Sequence, residues 1–369
     1  ASLVRATKLY RKRPMNAAPL YAIISAIVNQ LPMGLRLRRV LRDFVLGVVV
    51  SRSCLLDDVA HALTPRGNKD SQYRRLQRFL ANVHIDVAPL QGAWAQVVVA
   101  SLHAPDRIVL LVDETALSDH LRIMVLGLWT PGGCIPIAWR SYPHTAYPAG
   151  GQAGVIVQLL DRVLMAFPIG GPLILLADRG IGTSPDLIQA VTARGLDLLF
   201  RVQSTVRFRY PDGRIVALGD LGVVGQAWQA AGDVFKKAGW LSLTATVAWA
   251  PAYDTPWCLV SSTPLNPALY AQRFDQEVSF RDLKSDGFQW HRSHVWLPNH
   301  ADRLLLVLAI CYWLILLVGQ SLPPAPKGRA ARLSLFRRGL DACTGFFRPS
   351  IAALLPAPLL PPHISCVAP

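Results

Sequence analysis

Three acidic residues in this sequence lie at positions where a carboxylate needs an opposite charge or a metal ion. Two apolar segments, RIVLLVD and LILLAD, have the composition of buried strands, and each ends in an aspartate, Asp113 and Asp178. Glu277 is one of only two glutamates among 23 acidic residues. A carboxylate at the mouth of a buried sheet is costly unless it is paired or binds a metal. Each aspartate could cap the next turn, but the pair points to a shared site for Mg²⁺ or Mn²⁺, which carboxylate oxygens suit.

Cations surround Glu277 in the segment YAQRFDQEVSFRDLK. On one continuous helix, Tyr270, Arg273, Glu277 and Lys284 would fall within about 60° of arc, with Arg281 close by. Such a surface suits phosphates, with the glutamate on a metal and the cations on a phosphodiester. The alternative is a chain of ion pairs along the helix, such as Arg273 with Glu277. That alternative leaves the other three side chains unexplained.

The overall charge favours a polyanionic partner. The net charge is +15, and a basic excess of this size is typical of proteins that bind nucleic acid or anionic membranes. A compositional bias toward arginine is the alternative explanation. Apolar residues make up 52% of the chain and charged residues 17%, which argues against extensive disorder. None of the six cysteines has CxxC spacing, so neither a zinc site nor a disulfide framework is indicated, and a reducing cytoplasm fits.

The first 100 residues have a helical pattern with clustered arginines. In KDSQYRRLQRFLANVHID, Arg74, Arg75 and Arg78 lie beside an apolar stripe formed by Tyr73 and the leucines and phenylalanine that follow it. A helix docked on a DNA backbone and an ordinary solvated basic face both explain this pattern. The aromatic residue between the cations favours DNA contact.

From residue 106 the pattern changes to alternating strands and helices. Strands are predicted at 107–113, 121–129, 134–142, 173–178 and 197–203, with helices at 151–167 and 183–195. This order predicts an α/β sandwich with a mixed sheet. Residues 204–264 predict a β-rich insertion, and a helix is expected to begin at Pro267. The last 45 residues are rich in proline and basic residues and are predicted to be irregular.

The segment Leu304–Val318 is a run of unbroken apolar residues. It is shorter than the roughly 20 residues needed to span a bilayer, which favours a buried core helix over a membrane span. The N-terminal stretch ASLVRATKLYRKRP lacks the apolar region of a secretory signal.

Taken together, these motifs resemble a known family. Two strand-end aspartates followed by a helical glutamate are similar to the acidic triad of DDE transposases, which have a ribonuclease-H-like fold. The spacing Y-x2-R-x3-E-x6-K, met by Tyr270, Arg273, Glu277 and Lys284, is the signature of one large group of bacterial insertion-sequence transposases. The β-rich stretch between Asp178 and Glu277 also fits, and the resemblance covers about residues 70–315.

The resemblance implies a domain organisation. It predicts an α/β fold with a ribonuclease-H-like mixed sheet, flanking helices, a β-rich insertion and an N-terminal helical domain. The implied boundaries are a helical DNA-binding region at 1–100, a catalytic domain at 101–203 and 265–321, an insertion at 204–264, and a Pro-rich basic tail at 322–369.

The resemblance also implies a mechanism. Asp113 would bridge two Mg²⁺ ions, for which Mn²⁺ could substitute, while Asp178 and Glu277 would each hold one. DNA would be cleaved at the element's ends, and the freed 3′-hydroxyl would attack target DNA. The tyrosine, arginine and lysine of the signature would grip terminal phosphates, and Trp240 or Trp257 would stack on a flipped base. The implied partners are double-stranded DNA, carrying the terminal inverted repeats or the target, and a second copy of the chain, at the bacterial nucleoid in the cytoplasm without membrane attachment.

Three acidic or histidine residues near the predicted site are not assigned as metal ligands. Glu114 follows Asp113 in a strand, so it is expected to point to the opposite face and not to bind metal. His291 and His294 have helical spacing, and DNA or polar contacts are favoured for them over a metal pair.

Three rival functions remain open. They are a ribonuclease-H-like nuclease or resolvase without strand transfer, an inactive transposase-derived DNA-binding protein, and a membrane protein.

Overall fold

The computed structural model describes residues 18–64, 67–102, 107–167, 173–324 and 333–345. The first 17 residues, which belong to the predicted helical region, and the tail beyond residue 345 lie outside the described residues.

Five helices form the described part of the N-terminal region. They are α1 (Ala18–Asn29), α2 (Leu35–Ser51), α3 (Leu56–Ala62), α4 (Lys69–Ala81) and α5 (Val87–Ala100). The side chains of Asn68 and Asp86 cap the starts of α4 and α5 by accepting backbone N–H groups. Leu76, Phe79 and Leu80 of α4 are buried as the stripe predicts, whereas Tyr73 is exposed.

A mixed sheet follows, and its first five strands are close to the predicted ones. They are β1 (Ile108–Leu117), β2 (Leu121–Thr130), β3 (Gly133–Pro143), β4 (Leu173–Ala177) and β5 (Asp197–Arg201). Three helices lie among them: α6 (Gly151–Val163), α7 (Arg179–Gly182) and α8 (Pro185–Thr192).

The order of these strands in the sheet is β3-β2-β1-β4-β5. Strands β1, β2 and β3 pair antiparallel, whereas β4 lies parallel to β1 and β5 parallel to β4. Parallel neighbours need crossover connections, and α6 and α8 lie in those connections. The fold is therefore α/β with a mixed sheet, flanking helices and an N-terminal helical region, as predicted, and is consistent with a ribonuclease-H-like fold.

The β-rich segment extends this sheet. Its strands are β6 (Arg207–Arg209), β7 (Ile215–Ala217), β8 (Ala227–Val234), β9 (Leu241–Ala248) and β10 (Trp257–Ser261). Strand β10 pairs antiparallel with β5, and the order then continues β9-β8-β6-β7. All ten strands thus form one sheet.

After the insertion, the chain returns to the central sheet through three consecutive helical segments of different type. A 3₁₀ helix (Pro267–Arg273) leads into α9 (Phe274–Arg281), which ends in a π-helical turn (Asp282–Asp286). One continuous α-helix was the basis of the predicted stripe, and that part of the prediction is wrong. Tyr270 and Lys284 lie in the 3₁₀ and π segments, where the angle per residue differs from 100°.

Helix α10 (Pro298–Ser321) forms the centre of the core. Its side chains from Leu304 to Leu316 are all buried, and it packs against β3, α2 and α4. Among the described residues it is the one helix long and apolar enough to cross a membrane, but 83% of its most apolar stretch is buried inside the protein. The prediction of a core helix at Leu304–Val318 is confirmed.

A last helix, α11 (Leu335–Gly345), corrects the prediction of an irregular tail. It lies against α10 with glycines at the crossing. A Cβ atom on Gly319 would come within 2.1 Å of the Leu335 carbonyl oxygen, and one on Gly339 within 2.0 Å of the Ile315 carbonyl oxygen. The two backbones can approach this closely only because neither residue has a side chain.

The close approach predicts the effect of adding one methyl group. Gly339→Ala should separate α11 from α10 and lower the free energy of unfolding by about 1–3 kcal/mol, the usual cost of overpacking. Gly154→Ala in α6 is the matched control because the nearest atom to the added carbon, the Ala149 carbonyl oxygen, lies at an ordinary contact distance of 3.6 Å. Thermal unfolding measures both, and an unchanged melting temperature for Gly339→Ala would contradict this packing.

Candidate active site

The sheet register brings the two strand-end aspartates together. Val112 of β1 pairs with Ala177 of β4, so Asp113 and Asp178 are the next residues on neighbouring parallel strands. Neighbouring strands lie about 5 Å apart. Strand β1 continues beyond Asp113 to Leu117, paired with β2 alone. Asp113 therefore lies where the parallel pairing ends, although its own strand does not end there.

Helix α9 is fixed to the sheet by polar contacts on its inner face. The Gln276 side chain donates to the Val125 carbonyl at 3.1 Å, and the Ser279 hydroxyl accepts the Cys134 N–H at 2.8 Å. The Trp129 indole donates to Asp275 at 2.7 Å. These contacts with β2 and β3 fix the rotation of α9, and Glu277 lies toward the aspartates.

One open cleft of about 540 Å³ collects the acidic residues. Asp113, Asp178 and Glu277 all line it, and so do three cations of the predicted stripe, Arg273, Arg281 and Lys284. The structure therefore brings together six of the seven residues that sequence reasoning placed at the catalytic centre.

Tyr270 is the exception. Its side chain is 1% exposed and packs against Trp257 and Phe274, with ring centroids 5.2 Å and 6.5 Å apart. Burial raises its pKa to about 12. The tyrosine therefore supports an aromatic cluster beneath the cleft, and the prediction that it faces phosphate is not met by this arrangement.

Arg273 links two of the three carboxylates. Its guanidinium donates to Asp113 at 3.1 Å and to Glu277, and its side chain is only 8% exposed. The ion pair with Glu277 is the alternative considered for the stripe, and it coexists with the assembled cleft. The guanidinium therefore supplies positive charge that balances these two carboxylates.

The remaining carboxylate contacts are backbone hydrogen bonds. Asp113 accepts the Glu114 N–H at 2.8 Å, and Asp178 accepts the Ile181 N–H at 3.0 Å, capping α7. Burial raises the pKa of Asp113 to about 6; Arg273 lowers it and nearby Asp178 raises it. Burial lowers the pKa of Lys284, which Asp113 partly offsets.

The donor set fits a hard divalent cation. The cleft offers carboxylate oxygens, with no histidine or cysteine among its lining residues. In the part of the chain that the structure describes, no three such side chains already stand in a metal-binding cluster. The Arg273 guanidinium lies between two of the carboxylates, Asp113 and Glu277.

Glu114 borders the cleft, but its carboxylate is already bound. Arg122 donates to it at 2.8 Å, and the hydroxyls of Tyr142 and Tyr147 also donate to it. These partners agree with its exclusion from the predicted ligands, but the expected reason is wrong, since Glu114 lines the same cleft as Asp113.

The two histidines do not share a helix. His291 lies in a short 3₁₀ helix and contacts the Lys284 carbonyl, whereas His294 has a φ of 54° and packs on Trp296. Their i,i+3 spacing therefore does not place them on one helix, whereas His291 makes a polar contact of the kind that was favoured over a metal pair.

The predicted tryptophans and N-terminal arginines differ in their surroundings. Trp257 belongs to the aromatic cluster under the cleft, whereas the Trp240 ring is covered by Arg209 at 4.6 Å.

Arg74 and Arg78 are exposed on α4, whereas Arg75 is paired with Asp43 at 2.7 Å. Two of the three arginines thus have charge free to meet an anion.

Sequence reasoning missed a buried acid in the turn that follows α9. Asp282 opens the π-helical turn, is 6% exposed, and has one carboxyl oxygen without a hydrogen-bond partner among the described residues. Burial raises its pKa to about 7; Asp286 adds to this effect, and Arg281 and Arg337 oppose it. The turn departs from α-helical geometry, and π turns frequently lie at functional sites.

The raised pKa of Asp282 predicts a pH dependence of stability. The folded protein binds a proton more tightly than the unfolded chain, whose aspartates titrate near 3.9. The contribution of this group to the free energy of unfolding is therefore fully present at low pH and is lost as the pH rises toward 7. Asp282→Asn should gain stability over the wild type between pH 5 and pH 8, by up to about 4 kcal/mol.

Thermal unfolding of both proteins across that pH range measures this difference. The exposed Asp220→Asn serves as control. Parallel melting curves for wild type and Asp282→Asn at every pH would contradict the burial of this charge.

Comparison with known proteins adds one finding. Residues 152–314 match the family model described as Transposase DDE domain, a region that includes Asp178 and Glu277 and begins after Asp113. No curated protein matches the chain. The matched region covers less than half of the chain, and together with the fold it supports a transposase of the DDE type.

Proposed function

We propose that this protein is a DDE transposase of the bacterial insertion-sequence group with the Y-R-E-K signature. It cleaves DNA at the ends of an element and joins the 3′-hydroxyl to target DNA. The observation that carries the proposal is the shared cleft, in which two adjacent strands and the helical segment after the insertion bring together the three predicted carboxylates, Glu114 as a fourth, and three cations.

The acidic residues have the role of metal ligands in this proposal. Asp113, Asp178 and Glu277 would hold two Mg²⁺ ions, with Mn²⁺ able to substitute. When bound, such ions lower the pKa of a nucleophilic hydroxyl or water and neutralise charge that develops on the phosphate. The Asp113 side chain is only 16% exposed, whereas that of Glu277 is 53% exposed and free to adjust to DNA.

The cations have the role of holding the phosphodiester. Lys284 and Arg281 line the cleft beside the acids, and charge-assisted hydrogen bonds to phosphate oxygens would orient the scissile group. Arg273 is shared between Asp113 and Glu277, so it orients these carboxylates and balances their charge. Arg281 is paired with Asp286 at 3.5 Å with both side chains largely exposed, and this weak pair can exchange for phosphate.

Further DNA contacts would come from the surfaces around the cleft. Exposed Arg74 and Arg78 on α4 are suited to the duplex backbone. Trp257 is the better candidate than Trp240 to meet an extruded base, because it adjoins Phe274 and Tyr270 near the cleft. A homodimer bound to two element ends, at the nucleoid, completes the proposal.

The proposal predicts different defects for ligand and cation substitutions. Glu277→Gln should reduce cleavage by about 100-fold or more, since several kcal/mol of metal-dependent stabilisation would be lost. It should leave DNA affinity nearly unchanged because this carboxylate contacts metal. Lys284→Ala should instead weaken binding of the DNA end and slow cleavage, by about 10- to 100-fold, as one charge-assisted contact is lost.

Arg273→Ala should also slow cleavage, without removing metal binding. Cleavage and gel-shift assays on one duplex, taken from the DNA flanking the gene and run in Mg²⁺ and in Mn²⁺, separate these effects. Asp220→Asn removes an exposed carboxylate outside the cleft and is the matched control. Normal cleavage by Glu277→Gln in both metals would refute the role of this glutamate.

A strand-transfer assay separates the proposal from its closest rival. A transposase should join a pre-cleaved 3′ end to a supercoiled plasmid, and a nuclease of the same fold should only cut. Cutting without joined product, under conditions where both metals support cleavage, would favour the nuclease. An absence of both reactions with retained DNA binding would favour a non-catalytic DNA-binding protein.

A further inference from the structure

A second polar cleft lies away from the catalytic one. It has a volume of about 640 Å³ and opens between the starts of α5 and α10, the second half of α6, and the edge strand β3. None of its lining residues lines the catalytic cleft. The proposed catalytic mechanism makes no use of it.

Three arginines give this cleft its charge. Arg140 donates to the Gln158 side chain at 2.7 Å, and Arg162 donates to the Gln91 side chain at 2.9 Å. Arg303, which is 5% exposed, donates to the carbonyls of Leu80 and Ile85. All of these acceptors are neutral, and within the described ranges none of the three arginines forms a salt bridge. Their positive charges are thus fixed in direction without a direct ion pair, although Asp302 and Asp86 lie close enough to offset part of the charge of Arg162 and Arg303.

The two acids of the cleft are engaged in other contacts. Asp86 caps α5 by accepting the Ala88 N–H at 3.0 Å. Asp302 accepts the Ser141 N–H at 2.9 Å, and burial raises its pKa to about 7. The three guanidinium groups outnumber these carboxylates even when both acids are ionised.

Helix geometry adds to the positive potential. Helix α10 has 24 residues, and its N-cap, Leu297, makes no side-chain cap with the described residues. Asn299 in its first turn lines the cleft. Uncapped N–H groups at a helix N-terminus carry partial positive charge and favour anions.

One buried hydroxyl lies in the wall of the cleft. Ser141 is 6% exposed and lines the cleft, and both its side chain and its backbone N–H lie against the Asp302 carboxylate. The hydroxyl is a hydrogen-bond donor for which a bound anion would compete with Asp302.

We propose that this cleft binds a phosphate group of the DNA backbone, outside the catalytic cleft. The proposal rests on the proposed DNA-processing function and adds a contact surface to it. The walls are mainly polar, so they suit a phosphate rather than a base or a lipid chain. A free phosphate ion has the same chemistry, and the net charge of +15 favours the polyanion as its source.

The test removes charge from the cleft without disturbing its supports. Arg140→Gln is suitable because this side chain is half-buried and its one hydrogen bond with a described residue is to Gln158. Asn299→Asp adds a negative charge in the first turn of α10, where an acid favours the helix, so this variant should fold at least as well as wild type. Arg194→Gln, at a residue paired with Asp161 elsewhere, removes the same unit of charge and is the control.

Fluorescence anisotropy with a labelled duplex at several salt concentrations gives the readout. Arg140→Gln and Asn299→Asp should each weaken DNA binding by about 5- to 20-fold and lower the slope of log K against log salt by about 0.9, one phosphate contact. At saturating DNA, their cleavage rate should equal that of wild type. The control should keep the wild-type slope.

The outcomes that overturn the proposal are distinct from failure of the proposed function. Wild-type DNA binding and salt slope in both variants would refute the second site while leaving cleavage intact. Stabilisation of wild type, but not Arg140→Gln, by inorganic phosphate in a thermal-shift assay, with unchanged DNA slopes, would assign the cleft to a free anion instead. A wild-type protein that binds DNA without cleaving it refutes the catalytic proposal alone.

Discussion

The site depends on one buried guanidinium. Arg273 is held between Asp113 on β1 and Glu277 on α9, two residues separated by more than 160 positions in the chain. Removing one partner from a buried ion pair leaves an uncompensated charge and commonly costs about 3–5 kcal/mol. This arginine therefore reaches both acids only if the chain comes back to the central sheet after the insertion. The 3₁₀ helix and the inner face of α9 must then hold it there. The same contact balances two carboxylates that would otherwise repel each other.

The rest of the fold secures this meeting. The parallel pairing of β1 with β4 fixes Asp113 beside Asp178, and the one-residue precision of register prevents either side chain from turning to the other face. Helix α10 packs against the sheet, and the hydroxyl of its Tyr312 contacts the hydroxyl of Ser279 in α9 at 2.8 Å. The insertion lengthens the sheet through β10 and therefore places Trp257 beside Tyr270 without forming a separate core. Rigid elements on three sides thus define a cleft whose open side is left for a large ligand.

Much of this arrangement is predictable because buried strands, their terminal aspartates and an apolar core helix leave strong local patterns. The angular argument placed Arg273, Glu277 and Lys284 on one cleft, although Arg273 lies in the 3₁₀ helix and Lys284 in the π turn. It failed for Tyr270 because the ring packs against Trp257 of the insertion, a tertiary contact that no periodicity reveals. The apolar neighbours of Tyr270, Leu269 and Phe274, were the available signal for its burial. Helix α11 was missed because its surroundings are rich in proline; the pairing of Gly319 with Gly339 across two helices becomes meaningful only once both helices are placed.

Metal binding tests the central claim, that Asp113, Asp178 and Glu277 form one ligand set. Titration of the purified chain with Mn²⁺, followed by electron paramagnetic resonance of the free ion, should show saturable binding. Asp113→Asn, Asp178→Asn and Glu277→Gln should each weaken it by about tenfold or more, since each removes a ligand charge worth at least 1.4 kcal/mol. Glu114→Gln, which changes an acid already bound by Arg122, should bind Mn²⁺ as the wild type does. Equal Mn²⁺ binding by the wild type and by all three ligand variants would contradict the account.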